Sequence, residues 1–407
     1  MFYLIIKMII YSFFSYLFYS LFSKNNTNKL YNEKELLWNN ETINITLIKE
    51  MIINYQNISN TSSISKLNLK QYEKVKNPKI SIIIPIYNHQ EFLLNCYMSI
   101  YDQSMKDIEI IFVNDASKDN STIIIEDLMK KDKRIIHIKN NTIKRKYHSK
   151  KKGVLNAKGE YILIMNPEDL LLNNILEKAY DTIKKNNLDI LQYYIIIGSY
   201  KTNRLWKNIK YKSGIIYYPK IKDYFYNSYL PQISDKLIKR EIFINSMEYM
   251  TNNPNNDVFD YSFNDLAIFA LSKTAKSYGF LESVGYFYNT KNSLLTVESW
   301  YKNKKVDKIF GKYFNVSKYF LENTGENRQE KLFAYKFLDN KIYKYRNKLY
   351  YLFNNFDVID NILEDFLKCR FYNKNEKEKI QIIKNLVSYA KKLNENYTFI
   401  NTSSLLK

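Results

Sequence analysis

Three polar segments in this chain each close an apolar run, and their side chains are the ones best suited to chemistry. Ser81-Ile82-Ile83-Ile84-Pro85-Ile86 leads into Tyr87 and Asn88, and Ile110-Ile111-Phe112-Val113 leads into Asn114 and Asp115. Tyr161-Ile162-Leu163-Ile164-Met165 leads into Asn166-Pro167-Glu168-Asp169. A buried parallel strand reads as a continuous Ile/Val/Leu run, and open α/β sheets bind ligands just beyond the carboxyl ends of such strands. The placement predicts a nucleotide site in which Asp115 reads a base or ribose, because a carboxylate accepts from a ring N–H or a hydroxyl. Glu168 and Asp169 would offer hard oxygen ligands to Mg2+ or Mn2+ on the phosphates. Structural roles stay open beside these: Asp115 as the N-cap of the next helix, and Glu168 and Asp169 as a capping turn after Pro167.

Bringing those ends together takes an alternation of strands and helices. Strands are expected near Ile80 to Ile86, Ile108 to Asn114, Arg134 to Lys139, Tyr161 to Met165 and Asp189 to Ile197. Helical stretches around Glu91 to Tyr101, Asn120 to Lys131, Ser149 to Ala157 and Asn173 to Lys185 separate them. This βα repeat predicts a Rossmann-like α/β fold, a mainly parallel sheet flanked by helices and joined by right-handed crossovers. From Tyr200 to Leu295 the periodicity weakens, which suits an acceptor-side half of the same domain. Residues 296–407 read as a helical C-terminal extension.

The bulk properties narrow the partners. The chain has 407 residues with 62 Lys and Arg against 41 Asp and Glu, a formal net charge of +21. The lysines are spread among Ile, Asn and Tyr, so most read as solvated faces, and no nucleic-acid partner is expected. Lys144, Arg145, Lys146, Lys150, Lys151 and Lys152 form a sharper cluster, fit either for a diphosphate at the rim of the site or for a solvated basic loop. Cys96 and Cys369, the two cysteines, exclude a disulfide framework and lack metal-ligand spacing. Residues 1–22 are apolar but for Lys7 and long enough for one helical span, so they are expected to be a transmembrane anchor, with a signal peptide as the other reading. Residues 23–78 read as a polar, Asn-rich stem. Its sequons at Asn25, Asn40, Asn44, Asn57 and Asn60 favour a lumenal side, whereas Lys24, Lys29 and Lys34 favour a cytoplasmic one. The expectation is a single-pass protein of the endomembranes, Golgi or ER, with the side of the domain unresolved.

Taken in order, the segments resemble family 2 glycosyltransferases of the GT-A fold. Ser81 to Asn88 is similar to that family's opening strand and P-x-Y-N turn, and Asn114 to Ser121 to its D-G-S-x-D-x-S segment. Lys158 to Ile162 with Asn166 to Asp169 is similar to the G-E-Y-I strand and D-x-D motif, and Ser234 to Glu241 to the N-K-L-F-[KR]-R segment. Phe263-Asn264-Asp265 and Gly285 to Tyr288 resemble the E-D and closing Y-Y-Y elements, so the likeness runs over about residues 79–288, and a catalytic domain of this kind is expected over residues 79–295. It implies an enzyme that moves a sugar from a UDP- or GDP-sugar, with a divalent metal, to a glycan, lipid or protein acceptor, inverting the anomeric carbon. It implies Asp265 as the catalytic base, against a bland reading as an exposed helix-end carboxylate. It also implies donor contacts from Pro85, Tyr87, Asn88, Asp115 and Lys150, and metal ligands in Glu168 and Asp169. Lys150 stands where the family commonly has Arg, and keeps the charge without the bidentate fork. Asn166, Glu168 and Asn264 depart from the family pattern; each removes charge or shifts an oxygen. The alternative is therefore a catalytically inactive relative that binds nucleotide, glycan or a protein partner.

Overall fold

The structure, a computed structural model, describes residues 69–172, 174–199, 202–207, 214–217, 232–250 and 263–289, with the shorter pieces 36–38, 41–43, 50–55, 316, 319, 320 and 323. The chain divides into two compact units. In the first, residues 1–45 with 363–407, the described residues are an antiparallel pair, β1 (Leu36–Trp38) and β2 (Glu41–Ile43). The second, residues 46–362, carries the large sheet.

β3 (Ile80–Ile86) and β4 (Ile108–Asn114) are buried along all seven of their residues, which is why their sequences lack polar alternation. β5 (Ile135–Lys139) pairs in parallel with β4, and β6 (Tyr161–Ile164) in parallel with the other side of β3. The connections run through α1 (Gln90–Tyr101), α2 (Ser121–Lys131) and α3 (Arg145–Asn156). The order β6-β3-β4-β5 reverses at β3, so a crevice opens beyond the carboxyl ends of β3 and β6. Pro85 fits this place. The β3–β6 register ends at Ile83 and Ile164, so the N–H that proline lacks would have faced a neighbour that has already left the ladder. Gly159, before β6, is equally determined: a Cβ there would lie 2.5 Å from the backbone nitrogen of Ser81. Buried Glu109 holds this corner, accepting from Ser81 Oγ at 2.6 Å and from the Lys158 N–H at 2.5 Å.

Beyond β6 the expected mainly parallel sheet gives way to a mixed one. After β7 (Leu170–Leu171) and α4 (Ile175–Lys185) come β8 (Ile190–Ser199), β9 (Thr202–Lys207) and β10 (Gly214–Tyr217). β11 (Lys236–Lys239) leads into α5 (Arg240–Ser246), and α6 (Phe263–Thr274) into β12 (Ser277–Asn289). β11 inserts antiparallel between β6 and β8, while β12 runs parallel to β8. β7 and β10 pair antiparallel with β12, and β9 with β8, which completes ten strands. The physical reason is that β11 is four residues long and is located by polar groups. Lys236 Nζ donates to Asp235 Oδ1 at 2.7 Å, Gln192 Nε2 on β8 donates to Asp235 Oδ2 at 2.6 Å, and Tyr278 on β12 donates to Gln192.

Several boundaries also shift. α3 begins at Arg145, four residues before the expected Ser149. The polar stem expected over residues 23–78 reaches into the domain. Ile52 and Tyr55 are buried, and Tyr72 exchanges backbone hydrogen bonds with Lys131 and Lys133, under the Arg134 guanidinium at 3.8 Å from its ring. Cys96 is buried and free, whereas Cys369 lies outside the described residues. Residues 1–22 lie outside them too. Among the described residues no helix is long and apolar enough to cross a membrane. Of the extension expected over 296–407, Val316, Tyr319, Phe320 and Asn323 are described, and the Phe320 ring packs 4.7 Å from that of Phe269 on α6.

Candidate functional site

The segment after β6 is a tight turn. The Asp169 N–H donates to the Asn166 carbonyl at 3.2 Å, with Asn at the first position and Pro167 at the second, the chemistry a β-turn asks for. Glu168 occupies the third position, its side chain 18% exposed and its carboxylate 3.5 Å from Nε2 of His89, the residue just before α1. Burial holds the His89 imidazole below its ordinary pKa, and Glu168 opposes that shift. Asp169 points the other way and is fully enclosed. Its Oδ2 accepts from the Tyr286 hydroxyl at 2.7 Å and from Asn166 Nδ2 at 2.8 Å, and its Oδ1 accepts from the Asn289 N–H at 2.8 Å. Burial, with the nearby Glu168 charge adding, pushes the Asp169 carboxyl up to about 8.

Asp115, at the end of β4, is also buried and already engaged. Its Oδ1 accepts from Asn140 Nδ2 at 2.8 Å and from the Lys144 N–H at 2.8 Å, and its Oδ2 accepts from the Arg145 N–H at 2.6 Å. It therefore tethers the N-terminus of α3, thirty residues on, and not that of the helix that follows it. Beside it, Asn88 (φ 55°) accepts from the Lys118 N–H at 2.8 Å and donates its own N–H to Ser117 Oγ at 3.1 Å. Ala116, which stands where the family pattern has Gly, takes the left-handed φ of 59° that favours glycine. Tyr87 is exposed at 38%, and Pro85 is buried within β3.

α3 carries Lys150 into this region. Its side chain is buried, with Nζ 4.8 Å from the centroid of the Phe263 ring and 3.3 Å from Asn264 Oδ1. Burial pulls the ammonium down to about 7 and Lys146 adds to the effect, while the charges of Glu168 and Asp169 work against it. Lys144, Arg145 and Lys146 are exposed at the mouth. Asp265 follows Asn264 in the first turn of α6 and is 2% exposed, so the exposed helix-end reading does not describe it.

The structure thus gathers the ends of β3, β4 and β6, and Lys150 ties α3 to the start of α6. Three participants escaped sequence reasoning. Asn140 directly follows β5 and was open to the same strand-end logic that found Asp115. Tyr286 and Asn289 lie in or beside the closing Tyr-rich segment, but their contact with Asp169 comes from a strand pairing that no local pattern announces. Among the described residues no three His, Cys, Asp or Glu side chains form a metal-binding cluster.

Residues 81–246 match the family model described as glycosyl transferase family 2. The glycosyltransferase GlyG of Streptococcus pneumoniae is 34% identical over 121 residues, covering 30% of this chain and 38% of that protein. An uncharacterized glycosyltransferase of Methanocaldococcus jannaschii is 32% identical over 170 residues, covering 40% of this chain and 57% of that protein. The chain therefore spans less than two thirds of the length of either relative. The crystal structure of S. aureus TarS 1-349 in complex with UDP-GlcNAc superposes with a TM-score of 0.56 at 16% identity, covering 72% of this chain and 81% of that one, a likeness of fold. Residues 81–246 are thus similar to glycosyl transferase family 2, and the mixed α/β sheet they help to build is like that of TarS in fold.

Proposed function

We propose that this chain is a glycosyltransferase that moves a sugar from a nucleoside diphosphate sugar to a hydroxyl of a glycan, lipid or protein acceptor, with inversion at the anomeric carbon. The observation that carries this reading is Lys150, a buried amine on α3 whose Nζ lies 3.3 Å from Asn264 Oδ1, next to Asp265, and 4.8 Å from the Phe263 ring. A cation held below its ordinary pKa by burial gains most from an anionic ligand, and a diphosphate is such a ligand. The fold neighbour crystallised with UDP-GlcNAc supports a UDP-sugar as the donor to test first. Anchoring by residues 1–22 belongs to the same proposal and rests on the sequence.

The donor set suits a divalent ion in part. Glu168 and the Asn166 side-chain carbonyl are hard oxygen donors on one turn, and Mg2+ or Mn2+ accepts one or two such ligands beside substrate phosphates. Asp169, enclosed and engaged by three donors, serves in this reading to hold Asn166 and not as a ligand. When bound, the ion would neutralise charge on the leaving diphosphate. Lys150 would place its ammonium on the same diphosphate. Asp265 would take the proton of the acceptor hydroxyl as that oxygen attacks the anomeric carbon, and the diphosphate would leave from the opposite face. Tyr87, Asn88 and Asp115 line the base and ribose side.

A specific observation favours a second reading, an inactive relative that binds nucleotide without turnover. Asp115 is already occupied by three donors, and Asn stands at 166 and 264. A released-nucleotide assay of the full chain across UDP- and GDP-sugars, with Mn2+, Mg2+ or chelator, separates the two. Metal-dependent release that Asp265→Asn abolishes supports transfer. Calorimetric UDP binding without release from any donor, across a panel of acceptors, supports the second.

A further inference from the structure

We infer that Tyr286 is a positioning residue for Glu168: its hydroxyl locks the Asn166–Asp169 turn and so sets where the Glu168 carboxylate stands in the site. The inference rests on the proposed role of Glu168 as the carboxylate that faces the ligand.

The turn lies beyond the ladder that holds β6. The β3–β6 register ends at Ile83 and Ile164, the Met165 N–H makes the next bond to the Ile83 carbonyl, and β11 pairs with β6 at Tyr161 and Ile162. Four residues that leave a sheet in this way need other partners to keep a single geometry. Fully buried Tyr286, opposite Leu171 on β12, supplies them. Its oxygen accepts the Asn166 N–H at 3.2 Å and donates to Asp169 Oδ2 at 2.7 Å, so one hydroxyl grips the first and the last residue of the turn.

The hydroxyl is itself held. Ser234 hydrogen-bonds to Tyr286 through its side chain, Gln232 Nε2 donates to Ser234 Oγ at 3.1 Å, and Lys236 Nζ donates to the Gln232 carbonyl at 2.5 Å. The segment that leads into β11 therefore also holds the hydroxyl that grips the turn.

The test compares Tyr286→Phe with Tyr278→Phe in the full chain. Both remove one buried hydroxyl from β12, but the Tyr278 hydroxyl donates to Gln192 and not to the turn. Hydrogen exchange of the peptide that covers residues 166–169 is expected to quicken about tenfold in Tyr286→Phe, the worth of one buried hydrogen bond, and to stay unchanged in Tyr278→Phe. The gain in UDP affinity on adding Mn2+ is expected to shrink by a similar factor, about tenfold, in Tyr286→Phe alone, with metal-free UDP affinity unchanged. Equal exchange in wild type and Tyr286→Phe, or the same quickening in both variants, overturns the inference. Should Tyr286→Phe not fold, Ser234→Ala, which strips a partner from the hydroxyl, must quicken the same peptide, and an unchanged rate overturns it. If the wild type binds no UDP, the functional reading fails, and the exchange comparison still decides the role of Tyr286.

Discussion

The two halves of the sheet do their work by different means. In the parallel half, β3, β4 and β6 are apolar runs, and the groups proposed to meet a ligand lie just past their ends: Asn88, Asp115 and Glu168. In the mixed half, β8 to β12, a strand with a fully buried Lys236 sits in the middle of the sheet, and a polar network of Asp235, Gln192 and Tyr278 locates it. Hydrophobic burial is non-directional and tolerates repacking, whereas a buried polar network is satisfied in one arrangement only. The first half is therefore expected to yield gradually to substitution. The second should yield abruptly, and because Asp169 and Lys150 depend on residues from β12 and α6, it also supports the site.

The largest effect that would test this division is on turnover. Asp265→Asn, in the half after β8, is expected to lower kcat about a thousandfold while donor affinity stays within about twofold, because a base acts in the transition state and adds little to ground-state binding. Single-turnover rates beside calorimetric donor affinity read both quantities, and a variant that keeps full turnover would remove Asp265 from the mechanism. Next in size is stability. Lys236→Met leaves Asp235 as a buried carboxylate without its cation, since both side chains are fully enclosed. That costs about 3–5 kcal/mol. Replacing the pair together, Asp235→Leu with Lys236→Met, is expected to recover most of the loss, less the share owed to Gln192. Urea unfolding of the single and double variants measures it, and a single variant as stable as the wild type would mean the network does not locate β11.

The same contrast explains what the sequence makes legible. The runs before Asn88, Asp115 and Asn166 announce strands because every residue in them is buried, and the strand-end rule then places their polar neighbours at one edge without knowledge of any pairing. The insertion of β11 cannot be read that way. Lys236-Leu237-Ile238-Lys239 has no long apolar run, and its neighbours β6 and β8 lie far away in sequence. The fate of Asp115 was hidden for a related reason. Its type and place suggest a ligand contact or a local cap, but the donors it meets belong to a helix that starts earlier than the periodicity indicates. Glu168 and Asp169 look alike as a pair of acids. The turn separates them, one toward His89 and the other into the core against Tyr286.

Smaller than either effect is the change at Lys150, which sharpens the link between the halves through its contact with Asn264. Lys150→Met is expected to weaken UDP binding about thirtyfold, the worth of one charge-assisted contact to phosphate. The wild type should also show a pH dependence that the variant lacks. With the ammonium pulled down to about 7 in the free protein, UDP affinity is greatest below that pH. It declines as pH rises through 7, because the diphosphate must then bring a proton onto the amine, and it levels off above the pKa of the bound state. Calorimetric titrations between about pH 6 and 9 check the sign. An affinity independent of pH in the wild type would place the diphosphate away from Lys150.

The smallest expected effect belongs to the parallel half and bears on its supposed tolerance. Asp115→Ala removes the acceptor for the Lys144 and Arg145 N–H groups and for Asn140, but α3 stays pinned by Tyr147 against Phe263 and by buried Val154. A lost cap at a helix that is otherwise packed costs about 1–2 kcal/mol. The melting temperature should fall by only a few degrees, on the order of what such a loss produces in a domain of this size. Donor affinity should fall with it, since the exposed Lys144 to Lys146 segment would no longer be held at the mouth of the site. If stability drops while UDP affinity is unchanged, Asp115 is a helix tether and nothing more. If affinity falls while stability holds, the carboxylate gives up its backbone donors to the nucleotide on binding, and the parallel half is less rigid than its apolar strands suggest.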